Sequence, residues 1–264
     1  MRRILEFLQS PAFRTGLLII AVVAAVAAVA GNWDEVSHSL SALPLWLIGV
    51  QIFGAFAYVY MTMASWRIVL NSTGDRIDRR VARRIFFSSQ VAKYLPGGVW
   101  NFVAAAEVGK DYSISRARSV CALLVSIMIS IVTGMVLAVI AVFLGPNDEL
   151  SEYRWLLGVI PVALVILCPP VLNRIVNLGL RVLRRGPLET EVSWKGTVLS
   201  SLWALLGWLT IGTQIWLMLI NLGMDRDLSG FLLVTGGYAL GWTVGVVVFF
   251  VPAGAGGREV AIAA

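Results

Sequence analysis

The sequence predicts an all-α polytopic membrane protein, with about six full spans and Pro/Gly-broken re-entrant segments around residues 85–109 and 251–264. Three observations carry that prediction. The 264-residue chain is 58% hydrophobic and 14% charged, whereas a soluble globular domain holds roughly 25% charged residues. Its basic residues cluster in alternate short stretches between long apolar runs, the positive-inside pattern of helical membrane proteins. Two apolar runs are broken, at Lys93-Tyr94-Leu95-Pro96-Gly97-Gly98-Val99-Trp100-Asn101 and at Val251-Pro252-Ala253-Gly254-Ala255-Gly256-Gly257-Arg258-Glu259. Proline removes a donor and glycine lets the backbone leave helical space. In hydrocarbon such breaks survive only where they are buried in protein or line a wet cavity. A membrane β-barrel would show alternating segments of about ten residues, and the sequence has none.

The elements follow in order. Met1–Phe13 is short and basic, and Leu17–Ala30 is the first apolar run. Ala28-Val29-Ala30 resembles a signal-peptidase site, but the long basic flank and the many later spans favour a retained first span. Asn32–Ser41 carries Asp34 and Glu35 without Lys or Arg and reads as outside. Leu43–Trp66 is the second span. Asn71–Arg84 holds Arg76, Arg79, Arg80, Arg83 and Arg84 and reads as inside. Ile85–Leu95 is apolar over about eleven residues, which covers about half of a ~30 Å hydrocarbon core. After the break, Asn101 is placed to cap a short helix, Phe102–Val108, which Gly109 ends. Lys110, Arg116 and Arg118 are inside residues again, so Ile85–Gly109 reads as a re-entrant hairpin. Ser119–Leu144 is a full span that exits at the acidic Gly145–Glu152, and Trp155–Pro170 returns. Asn173–Lys195 is inside, Gly196–Leu222 goes out, Asp225-Arg226-Asp227 is outside, and Leu228–Phe250 comes back. On this map only Arg154 and Arg226 of 21 basic residues lie outside, against seven of 15 acidic ones, which sets the N-terminus in the cytoplasm. The chain stops at Glu259-Val260-Ala261-Ile262-Ala263-Ala264, at the start of an apolar helix, so one or two further spans are expected beyond it. Residues 1–264 read as a single integral membrane domain.

Each motif has two readings. At the first break, the N-terminal N–H groups of the following helix and its dipole suit an anion. Lys93 adds a charge, Tyr94 and Asn101 add polar groups, and Pro96, Gly97 and Gly98 open the backbone. A lipid phosphate is the natural anion. The alternative is a kinked structural helix with Lys93 snorkelling to the headgroups. At the second break, Pro252, Gly254 and Gly256 precede Arg258 and Glu259. A charge at membrane depth costs at least ~2.5–3.5 kcal/mol and usually marks a pathway, but the stretch also fits the membrane interface. Glu107 reads as a proton-coupling carboxylate, as a counter-ion to Lys93, or as a solvated partner of Lys110. Gly237, Gly241 and Gly245 recur every four residues and suit close helix packing. Trp33, Trp46, Trp66, Trp155 and Trp194 fall near span ends and read as interfacial belts. Gln51, Tyr58, Gln214 and Asn221 are best read as interhelical hydrogen-bonding groups.

Several function classes are excluded. The net charge of +6 is topological in its distribution, and no nucleic-acid partner is expected. Cys121 and Cys168 make no CxxC site, and the lone His38 has no metal-binding neighbours. There is no Gly-x-Ser-x-Gly, HExxH or Walker sequence. The paired carboxylates Asp34/Glu35 and Asp148/Glu149 lie in loops without a partner His. No catalytic residue, metal or cofactor is expected.

With both breaks in view, KYLPGGVWNF and VPAGAGGREVAIAA resemble the flippase-like transmembrane domain of the lysylphosphatidylglycerol synthase family, over roughly residues 40 to 264. Lys93, Pro96 and Gly97 match the first element of that family. Pro252, Gly254, Gly256, Arg258 and Glu259 match the second. Two positions depart from the common pattern: Gly98-Val99-Trp100 stands where many relatives have an Arg, and Ser119–Ser130 lacks an early acidic residue. No aminoacyl-transferase domain is present, so lysyl-lipid synthesis is not implied. The resemblance implies lipid translocation between leaflets. The basic breaks point to an anionic or phosphate-linked lipid in a bacterial cytoplasmic membrane, and without an ATP site its transport is expected to be passive or ion-coupled. Lys93 and Arg258 would hold the headgroup, and Glu107 or Glu259 would balance charge. Membrane lipids are the expected partners, and a homo-oligomer stays open. The alternatives are an integral membrane enzyme or a scaffold in envelope lipid and glycan synthesis.

Overall fold

The computed structural model describes residues 43–93, 100–144, 157–182 and 190–247, with scattered positions between 26 and 37. Most of the first span, the first break itself, the acidic stretch before Leu157 and the second break lie outside the described residues. Eight helices fill the described part: α1 Leu45–Ser72, α2 Arg79–Ala92, α3 Trp100–Lys110, α4 Arg116–Leu144, α5 Val159–Leu167, α6 Pro169–Val182, α7 Trp194–Asn221 and α8 Leu228–Val247. α1, α4, α7 and α8 are each long and apolar enough to cross a membrane, and α5 with α6 makes at most a fifth span.

Side-chain chemistry fixes how the long helices meet. α1 and α7 run antiparallel. Gln51 Nε2 donates to the Gln214 carbonyl at 2.8 Å, and Gln214 Nε2 donates back to the Gln51 carbonyl at 2.7 Å. About four helical turns further along α1, the Ser65 and Ser200 hydroxyls lie 2.7 Å apart. These bonds pair polar groups across the two helices where lipid offers no partner. Gly54 makes room for the glutamine, since a Cβ there would lie 2.6 Å from Gln214 Cδ. At the far end of the pair, Gly196 sits against Ser72.

α4 and α8 pack against this pair through Trp208 of α7. Its indole N–H reaches the Ser130 carbonyl and Thr133 Oγ1, both at 3.2 Å. Its ring meets Trp242 edge-on at 5.3 Å. Gly236 lets α8 touch α4, because a Cβ there would lie 3.2 Å from Ala138 Cα. Gly237, which the four-residue spacing assigned to close packing, faces open space. The spacing located a small-residue helix face but was one residue out of phase at its start.

The ends of α1 and α3 meet the beginnings of α2 and α4 at one basic end of the bundle. Arg118, at the start of α4, donates to the Leu70 carbonyl at 2.7 Å and the Asp75 carbonyl at 2.6 Å. Cations suit the C-terminus of a helix such as α1, whose last carbonyls lack intrahelical donors. Trp66 is not an interfacial residue: it is 1% exposed and stacks on Phe86 of α2 at 5.6 Å. The returning hairpin covers it. Trp33, Trp46 and Trp194 are exposed, as belt residues are.

The return span expected at Trp155–Pro170 also differs. Within it α5 has nine residues, and the chain bends by 72° at Cys168 before α6 begins. The Pro169-Pro170 pair supplies no N–H to continue α5 but suits the first turn of a new helix. α6 occupies part of the stretch expected as an inside loop. Buried Asn173 anchors it, accepting from the Val192 N–H at 3.0 Å and donating to the Val192 carbonyl at 3.1 Å.

Candidate functional site

The site is built from the α2–α3 hairpin. Asp78 caps α2 by accepting from the Arg80 N–H at 2.8 Å. α2 has 14 residues and α3 has 11, about 21 Å and 17 Å long, so neither crosses a ~30 Å core. α2 buries Ala82, Ile85, Phe86 and Ser89. It presents Arg83, Arg84, Phe87 and Ser88 outward, the i and i+4 neighbours of one helical face. α3 packs on α2 and α4. Its last turn folds tightly, with the Ile114 N–H donating to the Gly109 carbonyl at 3.1 Å. Arg84, near the start of α2, donates to the Tyr112 hydroxyl just beyond α3, at 2.9 Å. The hairpin therefore enters and leaves at the same basic end, as the short apolar run predicted.

A cleft of about 440 Å³ opens at this mouth, lined by Arg83, Arg84, Phe87, Ser88, Val108, Asp111 and Tyr112. The Tyr112 hydrogen bond orients Arg84 and raises its already high pKa without cancelling its charge, because a phenol is neutral. The guanidinium fork stays available to a phosphate. Phe87 and Val108 supply the apolar wall that an amphiphile needs.

The sequence-derived residues distribute around this frame. Lys93 closes α2, its N–H bonding the Ser89 carbonyl at 3.1 Å. Asn101 lies within α3 and not at its cap, since the helix already includes Trp100. Its Oδ1 is buried and has no hydrogen-bond partner among the described residues. Lys93 and Asn101 thus flank the break. Glu107 pairs with Arg116, Oε1 to Nε and Oε2 to Nη2 both at 2.9 Å. That two-point bond holds the Glu107 carboxyl below the usual carboxylate range. Glu107 therefore ties the end of α3 to the start of α4. Tyr94, Pro96, Gly97, Gly98, Pro252, Gly254, Gly256, Arg258 and Glu259 lie outside the described residues.

Arg83, Arg84 and Tyr112 were not singled out from sequence. The arginines were read only as a topological cluster. Their i, i+4 relation to Phe87 and Ser88 was the signal that a basic–apolar face existed.

Compared with known protein families, the chain matches the model of the lysylphosphatidylglycerol synthase transmembrane region over residues 15–264. The chain belongs to that family. The match spans the α2–α3 hairpin and both Pro/Gly breaks of this family member, and the family is a membrane family linked to lipid handling. Neither a curated protein nor a solved structure matches the chain.

Proposed function

We propose that the protein moves an anionic or phosphate-linked lipid between the leaflets of a bacterial cytoplasmic membrane, with its basic end in the cytoplasm. One observation carries this reading: a Pro/Gly-broken hairpin enters and leaves at the basic end, with an arginine-lined, apolar-walled cleft at its mouth. A half-membrane hairpin interrupted in its sequence by Pro and Gly is the form that substrate sites take in transporters. The headgroup enters at Arg83 and Arg84, and Lys93 and Arg258 hold it deeper. The loop charges support the orientation, since basic stretches are retained in the cytoplasm.

The test is transfer of a fluorescent acidic phospholipid in proteoliposomes containing the full chain. Losing a charge-assisted contact to a buried anion costs roughly 1.5–3 kcal/mol, about ten- to a hundredfold. Lys93→Ala and Arg258→Ala are each expected to slow transfer by that factor at unchanged membrane insertion. Wild-type rates in both variants, at equal reconstitution, would reject the site and favour a scaffold role.

A further inference from the structure

Two stretches of the chain are built alike. α1 and α7 are each 28 residues long. Near the end of α1 the sequence has Trp66, Asn71, Asp75 and Arg76; near the end of α7 it has Trp216, Asn221, Asp225 and Arg226, at identical spacing. Each corner contains one glycine of positive φ, Gly74 at 153° and Gly223 at 102°. An aspartate then caps the next helix. Asp78 accepts from the Arg80 N–H, and Asp227 accepts from the Gly230 N–H at 3.0 Å. In each half the tryptophan packs on a phenylalanine of the helix after the corner: Trp66 on Phe86 and Trp216 on Phe231, with ring centroids 5.6 Å apart in both. Both indole N–H groups are buried and have no acceptor among the described residues. In each half, the sequence beyond the new helix leads to a Pro/Gly break. Tryptophan supplies only 10 of 264 residues, so composition does not explain four identities in register together with the same ring contact.

The copies are not identical: α2 has 14 residues and stops short of a ~30 Å core, whereas α8 has 20 and is long enough to cross. Asn71 accepts from the Ile77 N–H at 3.0 Å, whereas Asn221 donates to the Leu217 carbonyl at 2.9 Å. Phe86 also lies about one helical turn further from its capping aspartate than Phe231 does.

Because α1 and α7 are antiparallel, the two corners lie at opposite ends of the bundle. Tyr58, midway along α1, meets Gly207, midway along α7. Gln51–Gln214 and Ser65–Ser200 fall on either side of that midpoint. We infer that residues 45–92 and 194–247 are two copies of one unit inserted in opposite orientations. The α1–α7 pair is their fixed spine, and the arms beyond the two corners open alternately to the two faces. Inverted repeats place a substrate site at their interface and let one half move against the other around it. What passes between the gates rests on the lipid reading; the repeat does not.

The experiment uses inside-out and right-side-out membrane vesicles and an impermeant maleimide, in a Cys121→Ser/Cys168→Ser background. Arg76→Cys and Arg226→Cys are expected to react from opposite faces. Reaction from one face overturns the inverted arrangement. Phe87→Cys in α2 and Leu233→Cys in α8 report the arms, both at exposed positions. Ser88→Cys replaces the first if insertion falls. Purified protein is then placed in phosphatidylcholine vesicles with or without phosphatidylglycerol. The acidic lipid is expected to change the two labelling rates in opposite directions, each by about threefold or more. Rates that move together, or that do not move, overturn the alternation. Reciprocal rates without transfer of a fluorescent acidic lipid would reject the lipid reading and leave the repeat standing.

Discussion

Gln214 carries two kinds of information in one side chain. Its Nε2 bonds α1, while its Oε1 is buried without a donor among the described residues. Gln214→Leu therefore loses the interhelical bonds but also removes an orphaned acceptor, and it keeps the volume beside Gly54. Gln214→Ala loses the bonds and opens a void. We predict a loss of about 0.6–2 kcal/mol for the leucine variant and more for alanine, read from denaturant unfolding in detergent. The reverse order would mean that leucine does not fit the space beside Gly54. Glu107 yields a pH prediction. Its folded-state pKa lies below the ordinary 4.5 because Arg116 bonds the charged form. The stabilisation from the pair is complete above that ordinary value, and it is lost as pH falls through the depressed folded-state value. Glu107→Gln is expected to flatten this acid limb of stability, whereas an unchanged limb would place the titration elsewhere. Single residues were also where sequence was least legible. Glu107 and Arg116 are nine positions apart across a turn, so no helical spacing pairs them. Trp66 resembled every other span-end tryptophan until the chain folded back over it.

Among elements, the long helices were legible because apolar length and flanking charge are one-dimensional signals. The hairpin was legible for the complementary reason: its apolar run is too short to cross. The α5–α6 bend was not, because Pro169 and Pro170 sit where an apolar run simply continues and nothing in composition marks the change of direction. The phase of a helix against its neighbour is likewise absent from spacing, as Gly236 and Gly237 show. That pair supplies a test with an internal control. Gly236→Val drives a branched side chain into the α4 backbone near Ala138 and Leu137, and overpacking of this kind costs about 1–3 kcal/mol. Gly237→Val meets nothing on that side. Lower recovery of folded protein from the first variant but not the second is the expected outcome, judged by detergent-resistant monodispersity. Equal losses would mean that α8 packs elsewhere.

For the whole molecule, the charge map and the contacts agree on which ends lie together. Ser88 and Ser113 are exposed at the basic end, on either side of the hairpin. As cysteines in a Cys-free background they are expected to label from one face, and Asp225→Cys from the other. Labelling of Ser113→Cys and Asp225→Cys from the same side would turn the hairpin into a true span and invert every later helix. The α1–α7 seam has a further consequence, for biogenesis. Its two hydrogen-bonded pairs join residues 163 and 135 positions apart. At about 5–20 residues per second of synthesis, α1 leaves the ribosome roughly ten to thirty seconds before the partner that satisfies Gln51. During that interval the nascent helix sits in the bilayer with an unmatched amide, and whatever shelters it there, insertase or lipid headgroup, acts as its temporary α7.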